Sequence, residues 1–202
     1  MGLFDGLRQL LGLQAEQSAT READPEDLFG MSTAYLTMTA DLDCPPVGQA
    51  ALSFVDVDST AFADARGAVE RVLDAGASET GTVATVHEDR HGYEWVVLED
   101  DDFEDLVTSI HFAADTLIEE GFGSRLLAAL FAFEAPESGF VYWVYSFRRG
   151  AYYPFAPEPG ARDRDAALEF KLQSVLDGEL DIEPDESYWY PLWPENAGHP
   201  WE

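Results

Sequence analysis

Lysine and cysteine are nearly absent from this chain. Only 11 of its 202 residues are basic, and Lys171 is the single lysine among them. Cys44 is the single cysteine, so no internal disulfide can form, which is typical of proteins from reducing compartments. No run of about 18 apolar residues occurs, which argues against a membrane-spanning helix. Nothing resembles a secretory signal either, and we therefore expect a cytoplasmic protein.

The same composition is strongly acidic. Aspartate and glutamate together number 40, and the formal net charge is -29 at pH 7. Carboxylates hold water and salt cations, whereas a lysine stem exposes alkyl surface, so this balance favours a halophilic protein from a salt-rich cytoplasm. Imitation of DNA, or binding to a basic protein, is the alternative explanation. A nucleic-acid-binding function is excluded, because neutralising phosphates requires a basic face.

The chain divides into three predicted parts: an amphipathic helix over residues 1–13, a linker over 14–24 and a single α+β domain over 25–202. The N-terminal helix is predicted from apolar residues at helical spacing, namely Leu3, Phe4, Leu7, Leu10 and Leu11. This helix has two possible roles. It contacts a membrane surface or a partner, or it folds back onto the rest of the chain.

Apolar spacing and capping residues predict four helices in the domain. Two of them start after the capping residues Asp24 and Ser59, a third is opened by Asp101-Asp102, and the last covers residues 163–177. Alternation predicts strands over residues 48–56, 80–87, 92–98 and 139–147. Two segments are harder to assign. Residues 125–134 fit a strand or a helix, and the prolines at 154, 157 and 159 indicate an irregular crossing.

The order of these elements predicts the fold class. We expect an α+β fold with a mainly antiparallel sheet of about five strands and helices packed on one face. Both a ferredoxin-like order and a secretion-chaperone-like order fit this pattern. The C-terminal segment over residues 188–193, YWYPLW, is too aromatic to be left in water, and we expect it to pack on the sheet.

The search for catalytic and metal-binding patterns yields only three isolated histidines. His87 and His91 flank a predicted hairpin turn, and His111 lies on a predicted helix beside Phe112. A metal or hydrolase site could be built from them, but a solvated acidic turn and a packed histidine are the favoured interpretations. We therefore predict no catalytic residue, no metal ligand and no cofactor.

The most unusual stretch of the chain combines aromatic residues and arginines over residues 139–164. Eight aromatic residues lie between Phe140 and Phe155, and the arginines are Arg148, Arg149, Arg162 and Arg164. One interpretation is a structural network in which these arginines bridge neighbouring carboxylates and pack on aromatic faces. The other is a docking site for an acidic partner surface or a phosphate headgroup.

Several segments, taken together, resemble one family. They are GLFDGLRQLLGL, PEDLFGMSTA, HGYEWVVLED and VYWVYSFRRGAYYPFAP, the last followed by an RD pair and later by YWYPLW. In this order, from Gly2 to Trp193, they resemble the PspA-associated protein PspAB family, which occurs in haloarchaea and some bacteria. The resemblance implies a small cytoplasmic accessory to PspA, the phage-shock coiled-coil protein that coats and repairs stressed membranes. It implies no enzymatic activity, and it assigns no functional residues.

We therefore predict a non-catalytic adaptor in a PspA-type membrane-stress response. Its predicted partner is a PspA-like coiled-coil protein, with peripheral contact at the inner face of the membrane through residues 1–13. The candidate contact residues are Leu3, Phe4, Leu7, Leu10 and Leu11 in the N-terminal helix, and Arg148, Arg149, Tyr152 and Tyr153 in the arginine–aromatic stretch. The alternative is a secretion-chaperone-like homodimer that holds a client segment. A metal-dependent hydrolase is a minor alternative.

Overall fold

A computed structural model describes residues 23–89, 91–136, 139–193 and 199–201. The predicted N-terminal helix over residues 1–13, and nearly all of the predicted linker, lie outside the described residues. Within them the chain forms four α-helices and a six-stranded antiparallel sheet, so the predicted α+β class is confirmed.

The elements follow one another with short connections. A 3-10 turn over Pro25–Gly30 leads directly into the first helix. The helices are α1 (Met31–Asp41), α2 (Thr60–Thr80), α3 (Phe103–Glu119) and α4 (Ala166–Leu176). The strands are β1 (Pro46–Val55), β2 (Val83–Glu88), β3 (Tyr93–Glu99), β4 (Leu126–Glu134), β5 (Phe140–Ser146) and β6 (Ala151–Phe155).

The strand order is β2-β3-β1-β4-β5-β6, and every neighbouring pair is antiparallel. The first four strands and the two helices between them form the βαββαβ arrangement of a ferredoxin-like core. β5 and β6 extend that core beyond β4. The segment over residues 125–134, which fitted a strand or a helix, forms β4 and brings alanine-rich sequence into the middle of the sheet.

The sixth strand corrects one sequence-based expectation. Pro154 was predicted to mark an irregular crossing, but it lies inside β6, opposite Trp143 of β5. Proline removes one backbone hydrogen-bond donor, and an edge strand can tolerate that loss because only one of its sides pairs within the sheet. β6 is such an edge strand and can therefore contain Pro154. With β6 included, the sheet has six strands.

The helix starts predicted after Ser59 and at Asp101-Asp102 are confirmed at the level of single hydrogen bonds, whereas the chain after Asp24 first forms a 3-10 turn and the α-helix begins only at Met31. The Ser59 hydroxyl accepts from the Phe62 amide at 3.1 Å, and the Asp102 carboxylate accepts from the Glu104 amide at 2.9 Å. Asp24 caps the 3-10 turn in the same way, by accepting from the backbone of residue 26 at 3.0 Å. Each cap satisfies an amide that would otherwise have no partner in the first turn.

The two faces of the sheet have different covers. On the helix-side face the helices pack over alternate strand residues, among them Leu52, Val96, Phe131 and Trp143. On the opposite face, called the tail-side face below, strand residues pack with the C-terminal segment, in which Trp189, Tyr190 and Leu192 are buried. The prediction that YWYPLW packs on the sheet is therefore confirmed.

Candidate partner-binding surface

The predicted arginine–aromatic contact residues lie mostly in the interior. Arg149, Tyr152 and Tyr153 are buried, whereas Arg148 is half-buried. Arg149 Nε donates to Glu183 Oε2 at 2.6 Å, and the guanidinium lies 3.9 Å from the centre of the Tyr188 ring. The hydrogen bond to Glu183 is the main cause that raises the pKa of Arg149 above its already high ordinary value, so the guanidinium is permanently charged.

Arg164 forms the second centre of the same network. Its Nε donates to both carboxylate oxygens of Glu169, at 2.9 and 3.0 Å. Its two terminal nitrogens donate to the carbonyl oxygens of Trp189, at 2.7 Å, and Pro154, at 3.1 Å. One guanidinium thus joins α4, β6 and the C-terminal segment. The structural interpretation, in which arginines bridge carboxylates and lie over aromatic rings, is confirmed for Arg149 and Arg164.

Two buried tyrosines connect the sheet to the 3-10 turn. Tyr145 Oη lies 2.9 Å from Asp27 Oδ2, and Tyr152 Oη lies 3.3 Å from the carbonyl oxygens of Asp27 and Leu28. Burial raises the pKa of Tyr152 well above its usual range, so its hydroxyl stays a neutral donor. Both tyrosines therefore hold the turn in place, and contact between Tyr152 and a partner would require this packing to open.

The histidines do not converge. His111 is buried on α3, and its Nε2 lies 3.1 Å from Glu26 Oε1 of the 3-10 turn. His87 on β2 and His91 in the following turn are exposed. Within the described ranges, no group of three or more histidine, cysteine or carboxylate side chains is placed to hold a metal ion.

One exposed feature of the helix layer is a surface around the 3-10 turn that we call the acidic–aromatic surface. Its apolar part consists of Phe29, 37% exposed, and Phe112, 50% exposed. The His111 ring lies between them, with its centre 4.5 Å from that of Phe29 and 5.6 Å from that of Phe112. Exposed aromatic rings side by side are typical of binding surfaces.

The acidic part of this surface is a cavity of about 240 Å³ on the other side of Glu26. Seven residues line it: Glu26, Asp27, Gly30, Tyr152, Glu179, Leu180 and Asp181. The Thr37 hydroxyl lies 3.0 and 3.2 Å from the two Glu179 oxygens, which fixes that carboxylate at the rim. Four carboxylates line this cavity, and three of them already make hydrogen bonds: Glu26 with His111, Asp27 with Tyr145 and Glu179 with Thr37.

Sequence reasoning missed this surface because its parts are distant in the chain. The sequence presents PEDLFG only as a helix start and Phe112 only as a neighbour of His111. Nothing local shows that residues 26–29, 112 and 179–181 meet in space. The available signal was the position of Phe29 and Phe112 off the buried side of their helical patterns.

These residues define a ferredoxin-like α+β domain with an exposed acidic and aromatic surface. The family model described as PspAB, PspA associated protein B, matches residues 1–201. The chain therefore belongs to the PspAB family, whose name describes accessories of PspA, and the resemblance seen in the sequence is confirmed. No curated protein and no solved structure matches the chain significantly. In the described part of the chain, no helix is long and apolar enough to cross a membrane.

Proposed function

We propose that this protein is a non-catalytic adaptor that binds a PspA-like coiled-coil protein through the acidic–aromatic surface. The family match over residues 1–201 is the observation that carries the proposal. The surface supports it, because Phe29 and Phe112 offer apolar anchors beside four carboxylates. The acidic–aromatic surface replaces the arginine–aromatic stretch as the proposed contact, because three of the four candidate contact residues in that stretch are buried.

The chemistry of the surface fits a helical, charged partner. In a coiled coil the regularly spaced apolar residues face the other helix, whereas charged side chains such as lysine flank this seam and remain accessible, and their alkyl stems can pack on aromatic rings. Such a stem would pack against the two phenylalanines, while a basic head group would enter the carboxylate-lined cavity. With a net charge of -29, long-range attraction would favour a basic stretch of the partner and disfavour acidic ones.

The anchor residues can be tested with a matched pair of exposed phenylalanines. We expect Phe112→Ser to weaken binding of a purified PspA-like protein by about tenfold or more, because a central aromatic anchor typically contributes at least 1–2 kcal/mol. Phe170→Ser is the control, because Phe170 is 68% exposed on α4, outside the acidic–aromatic surface. Isothermal titration calorimetry with the full-length chain at fixed salt measures the dissociation constants of both variants. Equal affinities for the two variants, or no binding by the wild type, would refute the proposed contact.

The acidic cavity is tested separately by charge reversal. Glu179→Lys is expected to weaken the same interaction and to reduce its salt dependence, whereas Glu158→Lys, at another exposed acidic position, is expected to change neither. If both substitutions shift affinity equally, only net charge matters and the cavity is not a contact.

Peripheral contact with the inner face of a membrane through residues 1–13 is a separate sequence-based prediction. Those residues lie outside the described part of the chain. Flotation of the full-length protein with anionic vesicles, with and without the PspA-like partner, decides between direct and partner-mediated contact. The secretion-chaperone-like alternative predicts a stable homodimer, which a molar-mass measurement by light scattering distinguishes from a monomeric adaptor.

A further inference from the structure

The two edges of the sheet differ in how they are protected. The outer edge of β6 contains Pro154 and is paired further through Tyr152. The Tyr152 amide donates to the Asp181 carbonyl, and the Tyr152 carbonyl accepts from the Glu183 amide, both at 2.8 Å. Proline and cover by another segment are common protections of an edge strand. Within the described ranges, the outer side of β2 has neither of them.

The backbone groups that β2 presents at this edge follow from one hydrogen bond. The Asp89 amide donates to the Tyr93 carbonyl at 2.8 Å, so the backbone of residue 89 faces β3. Successive residues of a strand direct their amides and carbonyls to opposite sides, so those of Ala84, Val86 and Glu88 face away from β3. None of these three has a backbone partner among the described residues.

The side chains of β2 also lack the charges that commonly protect an edge. Residues 80–86, TGTVATV, carry no charge, although 25% of the chain is charged. Val83 is 57% exposed, and Thr85 and His87 on the same face are exposed as well. Threonine and valine favour extended backbone, and an exposed, uncharged edge strand is a template for another strand.

This edge is held in place by the rest of the fold. Ala84 and Val86 are half-buried against the helix-side core. At the start of the strand the Thr82 hydroxyl donates to the Asp100 carboxylate and lies 2.7 Å from the Thr80 hydroxyl. A strand that is already fixed in its paired conformation loses little conformational freedom when a partner is added.

Carboxylates are concentrated at the end of the edge where β2 begins. Glu79, Glu99 and Asp101 are all exposed there. At the other end of the edge, Arg66 lies 2.7 Å from Glu94 and offsets its charge. The charge pattern therefore suits a segment with an uncharged middle and a basic end beside the start of β2.

A second copy of the chain fits this edge less well than a partner segment does. β2 has six residues, so its edge is about 20 Å long and about 10 Å thick. Pairing of two such edges covers roughly 200 Å² on each copy, well below the roughly 800 Å² per partner of a standard interface. It would also bring together two chains of net charge -29, which repel each other.

We propose that the outer edge of β2 binds an extended segment of a partner protein as a seventh, antiparallel strand. The segment has β-branched, uncharged residues in its middle and lysine or arginine at its C-terminal end, beside Glu99 and Asp101. Its backbone bonds to the outward-facing groups of Ala84, Val86 and Glu88. This edge is five strand spacings, about 24 Å, from β6 and the acidic–aromatic surface, and the inference is independent of the proposed function.

Hydrogen exchange in the full-length protein tests the strand addition directly. The probe is the peptide TVTVTVKK, acetylated and amidated at its ends. We expect the amides of Ala84, Val86 and Glu88 to exchange at least about tenfold more slowly with the peptide than without it, because each gains a hydrogen-bond acceptor. The Thr85 amide faces β3 in both states and is the internal reference. Unchanged exchange of the three amides at about 1 mM peptide would overturn the proposal.

The outward-facing amide is tested with a matched pair of variants. Ala84→Pro removes that amide and places a ring over the edge, whereas Ala84→Ser keeps it. Fluorescence anisotropy of the labelled peptide should show an affinity about tenfold or more lower for the proline variant and within about twofold of wild type for the serine variant. Equal affinities would overturn the proposal. If the proline variant does not fold, the exchange measurement on the wild type decides.

Two further measurements test the chemistry of the partner. The peptide TVTVTVEE should bind about tenfold or more weakly than TVTVTVKK at the same salt concentration, and equal binding would overturn the predicted basic end. Light scattering compares the molar mass of the wild type with that of Ala84→Pro. A wild-type dimer that this substitution makes monomeric would assign the edge to a second copy and would overturn the proposal.

Discussion

The ion pair between Arg149 and Glu183 places two full charges in the interior of an otherwise apolar and aromatic region. Both side chains are about 95% buried or more, and their nearest atoms are 2.6 Å apart. Breaking such a pair from one side leaves a charge in a medium that solvates it poorly, and this costs more than the pair itself contributes.

We therefore expect Glu183→Gln to lower the free energy of unfolding by about 3 kcal/mol or more. Glu70→Gln is the control, since Glu70 pairs with Arg66 at 3.7 Å on the exposed side of α2 and should change stability by no more than about 0.5 kcal/mol. Urea unfolding at constant salt measures the free energy of unfolding of both variants. Similar losses in both variants would mean that burial of the pair has no energetic importance.

Cys44 makes a prediction about reactivity. Its thiol is buried in the helix-side core, and burial is the main cause that raises its pKa to about 11. Thiolate is the reactive form, so almost none is present at pH 8. We expect no reaction with a disulfide reagent in the native protein and one thiol per chain after unfolding. Rapid native labelling would show that this part of the core opens readily.

At the scale of the element, the start of β1 depends on a glycine. Gly48 has φ +73°, and a Cβ there would lie 2.7 Å from the Asp100 carbonyl oxygen. The Asp100 amide donates to the Gly48 carbonyl at 3.1 Å, so the close approach joins β1 to the end of β3. Both the backbone conformation and the contact therefore exclude a side chain at this position.

Gly48→Ala should cost about 2 kcal/mol or more of stability, whereas Gly76→Ala in α2 should be neutral or stabilise by up to about 1 kcal/mol. Gly76 lies within a helix and a Cβ there would meet nothing within 4 Å. Thermal unfolding of both variants provides the measurement. A loss of stability in the helix variant as large as in the strand variant would contradict this explanation.

The elements also show where local sequence was enough. Ser59 and the Asp101-Asp102 pair predicted two helix starts, because a cap acts on amides two or three residues away, whereas the turn after Asp24 is a 3-10 turn before the α-helix begins. The strand containing Pro154 was not predictable in this way. A proline is compatible with a strand only at an edge, and whether a strand is an edge depends on the order of all the others.

At the scale of the whole molecule, the net charge of -29 makes salt important for stability. Repulsion among so many carboxylates opposes folding at 0.1 M salt, where the screening length is about 10 Å. Near 1 M salt the screening length falls to about 3 Å, and the repulsion becomes weak. We expect the melting temperature to rise by about 5 °C or more between these KCl concentrations, which corresponds to about 1.5–2 kcal/mol. Sucrose at equal osmolality is the control, and an equal rise in sucrose would contradict charge screening as the cause.

By itself, the sequence determined what depends on composition and on neighbours along the chain: an acidic α+β protein, its helix starts, most of its strands and its family. Only the tertiary structure decided that Arg149 pairs with a glutamate 34 residues away and that Phe29 lies beside His111 and Phe112. The physical reason is that caps and periodicity are local, whereas ion pairs and surfaces form between segments brought together by the strand order. The arginine–aromatic stretch is therefore one of several segments that together identified the family, while its Arg149 and Arg164 side chains hold parts of the fold together.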